Sequence, residues 1–423
     1  MKKEWKERIH NRLGRMRSNL LLFGKWVAVS GLIGVGVGLL GTAFYYGMKE
    51  ATQFRQGHNW IILGLPAAGA LIVWLYHIAH RDDDKGTNMV LDAIRSEDEI
   101  PVLVAPLIFI TTILTHLFGG SAGREGAALQ LGGSVGNWLG KLFHMNKKDV
   151  NIVIMCGMSA AFSALFGTPM AAAFFSMEMV SVGIMYYAAL VPCVFSSLIA
   201  WETAQLLGVQ GEAFPALAVP DLTLVPMVKI VIVAVLCAGV SVFFCVALHT
   251  AARQGKKLIP NPYLRAGAAG AVIILLTVVL RSTDYLGAGM DIIERSIAGE
   301  VRPEAFFLKI LFTAITLGAG FRGGEIVPSF YVGATFGCLM GQLLGVSPSL
   351  CAAVGMIAVF CGVTNSPITS LLIALELFGM EGMPYFLIGV AVSYMLSGYY
   401  GLYQSQKIVY SKYKTEYLNR ITH

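Results

Sequence analysis

Two glutamates sit where long apolar stretches are broken by glycine. Glu125 lies in Gly119-Gly-Ser-Ala-Gly-Arg-Glu-Gly-Ala-Ala-Leu-Gln130-Leu-Gly-Gly133, and Glu325 in Gly318-Ala-Gly-Phe-Arg-Gly-Gly-Glu-Ile-Val-Pro328. A third break, Lys85-Gly-Thr-Asn-Met89, carries no carboxylate. Each is followed by a helix-compatible run. Glycine leaves backbone amides open to a ligand, and a helix start adds free N–H groups and the positive end of a dipole. Such loops suit an anion. A carboxylate in an apolar setting is costly, and desolvation favours its neutral form while a helix start favours the ionised one. A group balanced this way exchanges protons, and Glu125 is the leading candidate.

The elements that position these loops are written in the composition. Of 423 residues, 56% are hydrophobic and 13% charged, against about 25% charged in ordinary soluble domains. Apolar runs begin near Trp26, Trp60, Pro101, Val150, Met185, Leu224, Ala266, Phe306, Leu350 and Tyr385, and they recur too often for a singly anchored protein. Their uneven, glycine-broken lengths suggest a transporter. The net charge of +6 does not imply a nucleic-acid partner, because the basic residues gather outside the apolar runs, as topology requires. Seven cysteines are scattered through apolar stretches without a C-x-x-C pair and read as packing residues. No cofactor or metal is expected.

The chain also repeats itself. At an offset of about 201, Gly86, Met89, Gly119, Gly132 and Gly136 fall on Gly287, Met290, Gly320, Gly333 and Gly337. At about 198, Gly157-Met158, Pro169 and Glu178 fall on Gly355-Met356, Pro367 and Glu376. This spacing predicts two homologous halves, 23–210 and 211–405, inverted if each has an odd number of spans. Residues 1–22 are expected to form a cytoplasmic amphipathic helix and 406–423 a short cytoplasmic tail, since both are rich in lysine and arginine. The expected fold is an all-α polytopic membrane protein with many tilted and broken helices, no C-terminal soluble domain, and a place in a bacterial plasma membrane.

The run Gly-Arg-Glu-Gly around Glu125, followed by Gln130 and Gly132-Gly133, resembles the second anion-site motif of the CLC family of chloride channels and proton-coupled anion exchangers. Gly323-Gly324-Glu325-Ile326-Val327-Pro328 is similar to the third motif. Gly86-Thr87-Asn88-Met89 stands in place of the first, and Gly401-Leu402-Tyr403 matches the segment that delivers a central tyrosine. The resemblance implies that Glu125 is a gating glutamate, that Tyr403 donates to a central anion, and that Thr87, Asn88, Gly123, Arg124, Gly126, Ile326 and Val327 surround it. Thr87 or Asn88 replaces the family's usual serine. Met179 aligns with the internal glutamate of chloride/proton exchangers, and Glu325 stands where chloride transporters usually carry an apolar residue. Together these departures resemble the fluoride-exporting branch. They imply fluoride/proton antiport, proton coupling at Glu325 and a homodimer, with a chloride/proton exchanger or passive chloride channel as the alternative.

Other readings stay open beside these. Arg124 can neutralise Glu125, and Arg322 can neutralise Glu325. Tyr403 can belong to an interfacial aromatic belt. Glu178 and Glu376, at equivalent places in the two halves, suggest capping of backbone, and His116 suggests hydrogen-bonded packing or a proton relay. An intramembrane hydrolase would need a nucleophile with a base or a metal-ligand cluster, and no H-E-x-x-H occurs.

Overall fold

The computed structural model describes residues 2–96, 99–212 and 214–423, with side chains from His10 onward. Sixteen α-helices run along the described residues. The first eight are α1 (Lys2–Gly57), α2 (Leu65–Ile78), α3 (Thr87–Ser96), α4 (Val104–Leu117), α5 (Glu125–Leu142), α6 (Lys147–Phe166), α7 (Pro169–Glu178) and α8 (Leu190–Leu206). The second eight are α9 (Leu224–Leu258), α10 (Pro262–Leu280), α11 (Met290–Ile297), α12 (Ala305–Gly318), α13 (Ile326–Leu344), α14 (Pro348–Thr364), α15 (Pro367–Phe378) and α16 (Met383–Leu396). The order is the same in both halves, so α9 repeats α1 and each later helix repeats its counterpart. Seven helical stretches are long and apolar enough to cross a bilayer by themselves. Several of the rest run only 8 to 14 residues, the broken helices that the glycine spacing suggests.

The halves meet about a pseudo-twofold axis, which follows from residues that pair with their own repeat equivalents. Gly123 N–H donates to Gly324 O and Gly324 N–H to Gly123 O, each at 2.7 Å, in an antiparallel bridge. Two residues one repeat apart can bond reciprocally and antiparallel only on a twofold axis, so the halves are inverted. Glu178 at the end of α7 accepts from Ile368 N at 3.0 Å and Thr369 N at 2.8 Å, at the start of α15. Glu376 in α15 accepts from Met170 N at 2.8 Å and Ala171 N at 2.9 Å, at the start of α7. Each glutamate thus caps the other half's helix, the capping role its place in the repeat suggests.

Matched glycines mark matched helix crossings. A Cβ on Gly132 would stand 2.1 Å from the Gly157 carbonyl oxygen where α5 crosses α6, and one on Gly333 would stand 2.4 Å from that of Gly355 where α13 crosses α14. Only glycine lets these backbones touch, the small-residue packing common in membranes. At the junction Phe166 stacks on Phe330 at 5.5 Å, and Phe175 lies 5.6 Å from Phe360. All seven cysteines are buried and free, in keeping with packing.

The arm 1–22 is helical and runs on into the first long apolar helix, since α1 is unbroken from Lys2 to Gly57. One part differs from the all-α expectation. The tail is not all helix or coil. Strand β1 (Ser181–Val182) pairs in parallel with β2 (Lys407–Tyr410), which pairs antiparallel with β3 (Tyr417–Ile421). This three-stranded sheet makes the fold helical with one small β element.

A capping role makes a prediction. Glu178→Gln leaves one oxygen to serve two amides and should cost roughly 1–3 kcal/mol of stability, seen as a lower melting temperature in detergent, with proton movement per anion unchanged. Lost proton coupling at wild-type stability would contradict it.

Candidate anion and proton site

The Gly123–Gly324 bridge sets the start of α5 against the start of α13. Gly126 and Gly324 are in such close approach that a Cβ on Gly126 would lie 2.9 Å from Gly324 Cα and 3.2 Å from a Glu325 carboxylate oxygen. Both helix starts therefore aim free amides at one region, and both carboxylates sit beside it. Gly123 contributes the bridge itself; its amide is taken by the Gly324 carbonyl.

Glu125 is fully buried, and its carboxylate folds back on its own loop. It accepts from Arg124 N at 3.1 Å and from Arg124 Nε at 3.3 Å. The carboxylate therefore occupies a position beside amides that an anion would need. Arg124 also pairs with Glu212 and lies 5.3 Å from the Tyr45 ring centre. It thus acts as a shared cation between two carboxylates, and Glu212, in the connection after α8, is a member that sequence reasoning missed.

Glu325 stands at the N-cap position of α13 without a side-chain capping bond, and its Oε2 is buried with no hydrogen-bond partner among the described residues. The neutralising partner suggested by the sequence does not serve it. Arg322 turns to Asp84 at 3.0 Å, and its guanidinium stacks 3.8 Å from the Tyr76 ring centre. Asp84 in turn accepts from Gly86 N at 2.9 Å. The Arg322–Asp84 pair thereby joins the loop of the third motif to the Gly86–Met89 loop of the first.

That first loop enters from another direction. Thr87 begins α3, and its hydroxyl lies 3.4 Å from the Gly126 carbonyl and 3.2 Å from Gln130 Nε2. Asn88 Oδ1 accepts from Ser405 N at 2.9 Å, tying α3 to the Tyr403 segment. The Tyr403 hydroxyl is buried, has no partner among the described residues, and lies within electrostatic reach of Glu325 and Glu125. Its backbone is held by the C-terminal sheet, since Thr422 Oγ1 donates to Tyr403 O at 2.7 Å. Gln406 fastens the same segment to the carbonyls of Met179 at 3.1 Å and Thr364 at 2.8 Å. The β-prone run Ile408-Val409-Tyr410 is the one signal for this support, and the charge around it masks it.

Ile326 and Val327 supply amides at the first turn of α13, where no earlier helical carbonyl can take them. The Val327 side chain packs on Gly123, its Cβ 3.1 Å from where a Gly123 Cβ would stand. His116 is buried with Nδ1 2.9 Å from the Thr112 carbonyl, a packing contact within α4. Thus Thr87, Asn88, Glu125, Gly126, Glu325, Ile326 and Tyr403 converge, Gly123 and Val327 hold the scaffold, and Arg124 balances charge. The arrangement offers three helix starts and one phenol to an anion, and two carboxylates to protons.

The sequence profile described as voltage gated chloride channel matches residues 68–398. The chain belongs to the CLC family. A chloride/fluoride channel protein of Pseudomonas syringae pv. tomato is 35% identical over 396 residues, covering 92% of this chain and 88% of that one. The crystal structure of a CLC-type fluoride/proton antiporter superimposes with a TM-score of 0.88 at 33% identity, over 91% of this chain and 98% of the other. A slow cyanobacterial Cl−/H+ antiporter shares the fold at a TM-score of 0.77 and 18% identity, over 88% and 94% of the two chains. This CLC chain is a multi-pass membrane protein.

The contact between helix starts is open to test. Gly126→Ala places a methyl against Gly324 and the Glu325 carboxylate, and should slow anion flux at least tenfold while the protein still elutes as a single species. Wild-type flux in that variant would show that the two starts need not touch.

Proposed function

We propose that this protein exports fluoride from the cytoplasm in exchange for protons. The observation that carries the reading is the pair of buried carboxylates flanking one cluster of helix-start amides, with Glu325 free of any cation. Fluoride is a small, strongly hydrated acceptor, and removing its water demands several strong donors at once. The amides of Gly126, Ile326 and Val327, the Tyr403 hydroxyl and Thr87 are the donors at hand.

The coupling is a competition. An ionised Glu125 carboxylate and an anion cannot both use the amides at the α5 start. Protonation from the outside weakens the carboxylate's hold and lets it leave, so a fluoride from the cytoplasm takes the amides as a proton boards from the opposite side. A protonated Glu325 donates its O–H to fluoride directly, which links anion and proton binding through one hydrogen bond. Glu325 then serves as the second proton-handling group in place of the internal glutamate, whose position is the buried, apolar Met179.

A carboxylate with no cation partner, set beside an anion path, favours antiport over a passive pore. Met179 is the observation that favours the chloride channel alternative. The chain is read as a transporter and not an enzyme, acting in the bacterial plasma membrane as a homodimer with one pathway per protomer.

Flux from liposomes loaded with fluoride, with external pH recorded, tests the roles. Glu125→Gln should abolish fluoride-driven proton movement, and Glu325→Gln should reduce it at least tenfold. Wild-type proton movement in either variant contradicts the role given to that residue.

A further inference from the structure

A second group of buried polar side chains surrounds the turn before α11. Lys309, on α12, is wholly buried, and its ammonium donates to Gly287 O at 2.7 Å and Tyr285 O at 3.3 Å. Arg55, near the end of α1, reaches the same turn, and a Cβ on Gly287 would stand 2.7 Å from its Nη1. Gly287 N–H donates to Gly120 O at 3.1 Å, which fastens this turn to the loop leading to Glu125.

The cluster lacks counter-charge. Among the described residues no carboxylate makes a salt bridge to Lys309 or Arg55. The acid that acts on both is Asp291, whose side chain is 63% exposed and pairs with Arg295 at 3.5 Å. Arg55 Nη1 is buried without a hydrogen-bond partner among the described residues. Buried cations without compensation are unfavourable, and orphaned polar atoms in a native interior are normally answered by a water or an ion.

The repeat supplies an independent observation. The offset of 201 places Gly287–Met290, at the start of α11, on Gly86–Met89, at the start of α3. Ile292 N and Ile293 N both turn to Gly289 O, which leaves the Met290 and Asp291 amides without a helical acceptor. The second half therefore has its own copy of the helix start that serves the anion site in the first.

Its position is on the far side of the protein. From Trp26 to Arg55, α1 rises about 44 Å, so Arg55 lies at the face opposite the basic arm. A polar ladder leads inward, since Thr313, one turn beyond Lys309, is 3.0 Å from Ser121 Oγ, and Thr316 Oγ1 is 3.1 Å from Ser121 N. Beside the turn lies a cavity of about 220 Å³ lined by Asp284, Tyr285, Arg295, Glu300, Arg302 and Tyr331 among others. The Tyr331 ring centre is 5.0 Å from Lys309 Nζ.

We propose that Arg55 and Lys309 form a second binding site for a small hard anion, on the outer side of the Glu125 loop, occupied by fluoride as it leaves. This rests on the fluoride-export reading above. It predicts that external fluoride acts partly through a site whose loss leaves the cytoplasmic affinity unchanged.

The test uses cells expressing the full chain in its native orientation, loaded with fluoride, with efflux followed against increasing external sodium fluoride. Lys309→Met and, separately, Arg55→Gln should raise the external fluoride needed for half-inhibition at least tenfold. The half-saturating cytoplasmic concentration should stay within twofold of wild type. External half-inhibition within twofold of wild type in whichever variant is stably produced overturns the site, as does an equal shift on both faces. Loss of proton coupling in the wild type would instead overturn the antiport reading, because the half-inhibition measurement needs only anion efflux.

Discussion

Two hydrogen bonds between Gly123 and Gly324 hold the functional centre together. In lipid every backbone polar group must be satisfied within the protein. The two glycine loops that interrupt membrane helices do this by pairing with each other across the pseudo-twofold axis. That pairing fixes the starts of α5 and α13 face to face, and the positive ends of both helices then act on the same volume. Any side chain larger than hydrogen at Gly126 or Gly324 would separate them.

The surrounding structure keeps this junction in register. Glu178 and Glu376 exchange caps between α7 and α15, so the halves are tied reciprocally where their short helices meet. Glycine crossings press α5 on α6 and α13 on α14, which buries the helix bodies behind the site. The C-terminal sheet brings Tyr403 under the same point, and Asn88 binds that segment to α3. With the scaffold this rigid, the mobile charges are few. They are the Glu125 carboxylate, held by its own loop and by Arg124, and the Glu325 carboxylate, which has no cation.

Much of this was legible in the sequence because the constraint is periodic. Glycines at helix crossings recur at one offset in both halves, and the two glutamates stand out against an apolar background. The capping glutamates were readable for the same reason, since their equivalence suggested a symmetric structural task. What could not be read were partners far apart in the chain with no repeat to link them. Glu212 is 88 residues from Arg124, and Asp84 is 238 from Arg322. Adjacent residues offered simpler pairings, and for Glu325 the adjacent arginine was the wrong one. The C-terminal hairpin was hidden by its charge, which fits a solvated tail as well as an edge strand. Lys309 and Arg55 were likewise unremarkable in sequence, and their meeting at Gly287 depends on the packing of α1, α11 and α12.

In the proposed antiport, competition between a carboxylate and an anion for shared amides makes proton movement inseparable from anion movement, and a dense donor cluster favours the smallest halide. Purified protein in liposomes loaded with fluoride or with chloride, with external pH recorded during efflux, measures both at once. Rapid fluoride efflux with stoichiometric proton uptake into the vesicles, and chloride efflux at least tenfold slower, is the expected result. Chloride efflux as fast as fluoride, or fluoride efflux with no proton movement, would contradict it.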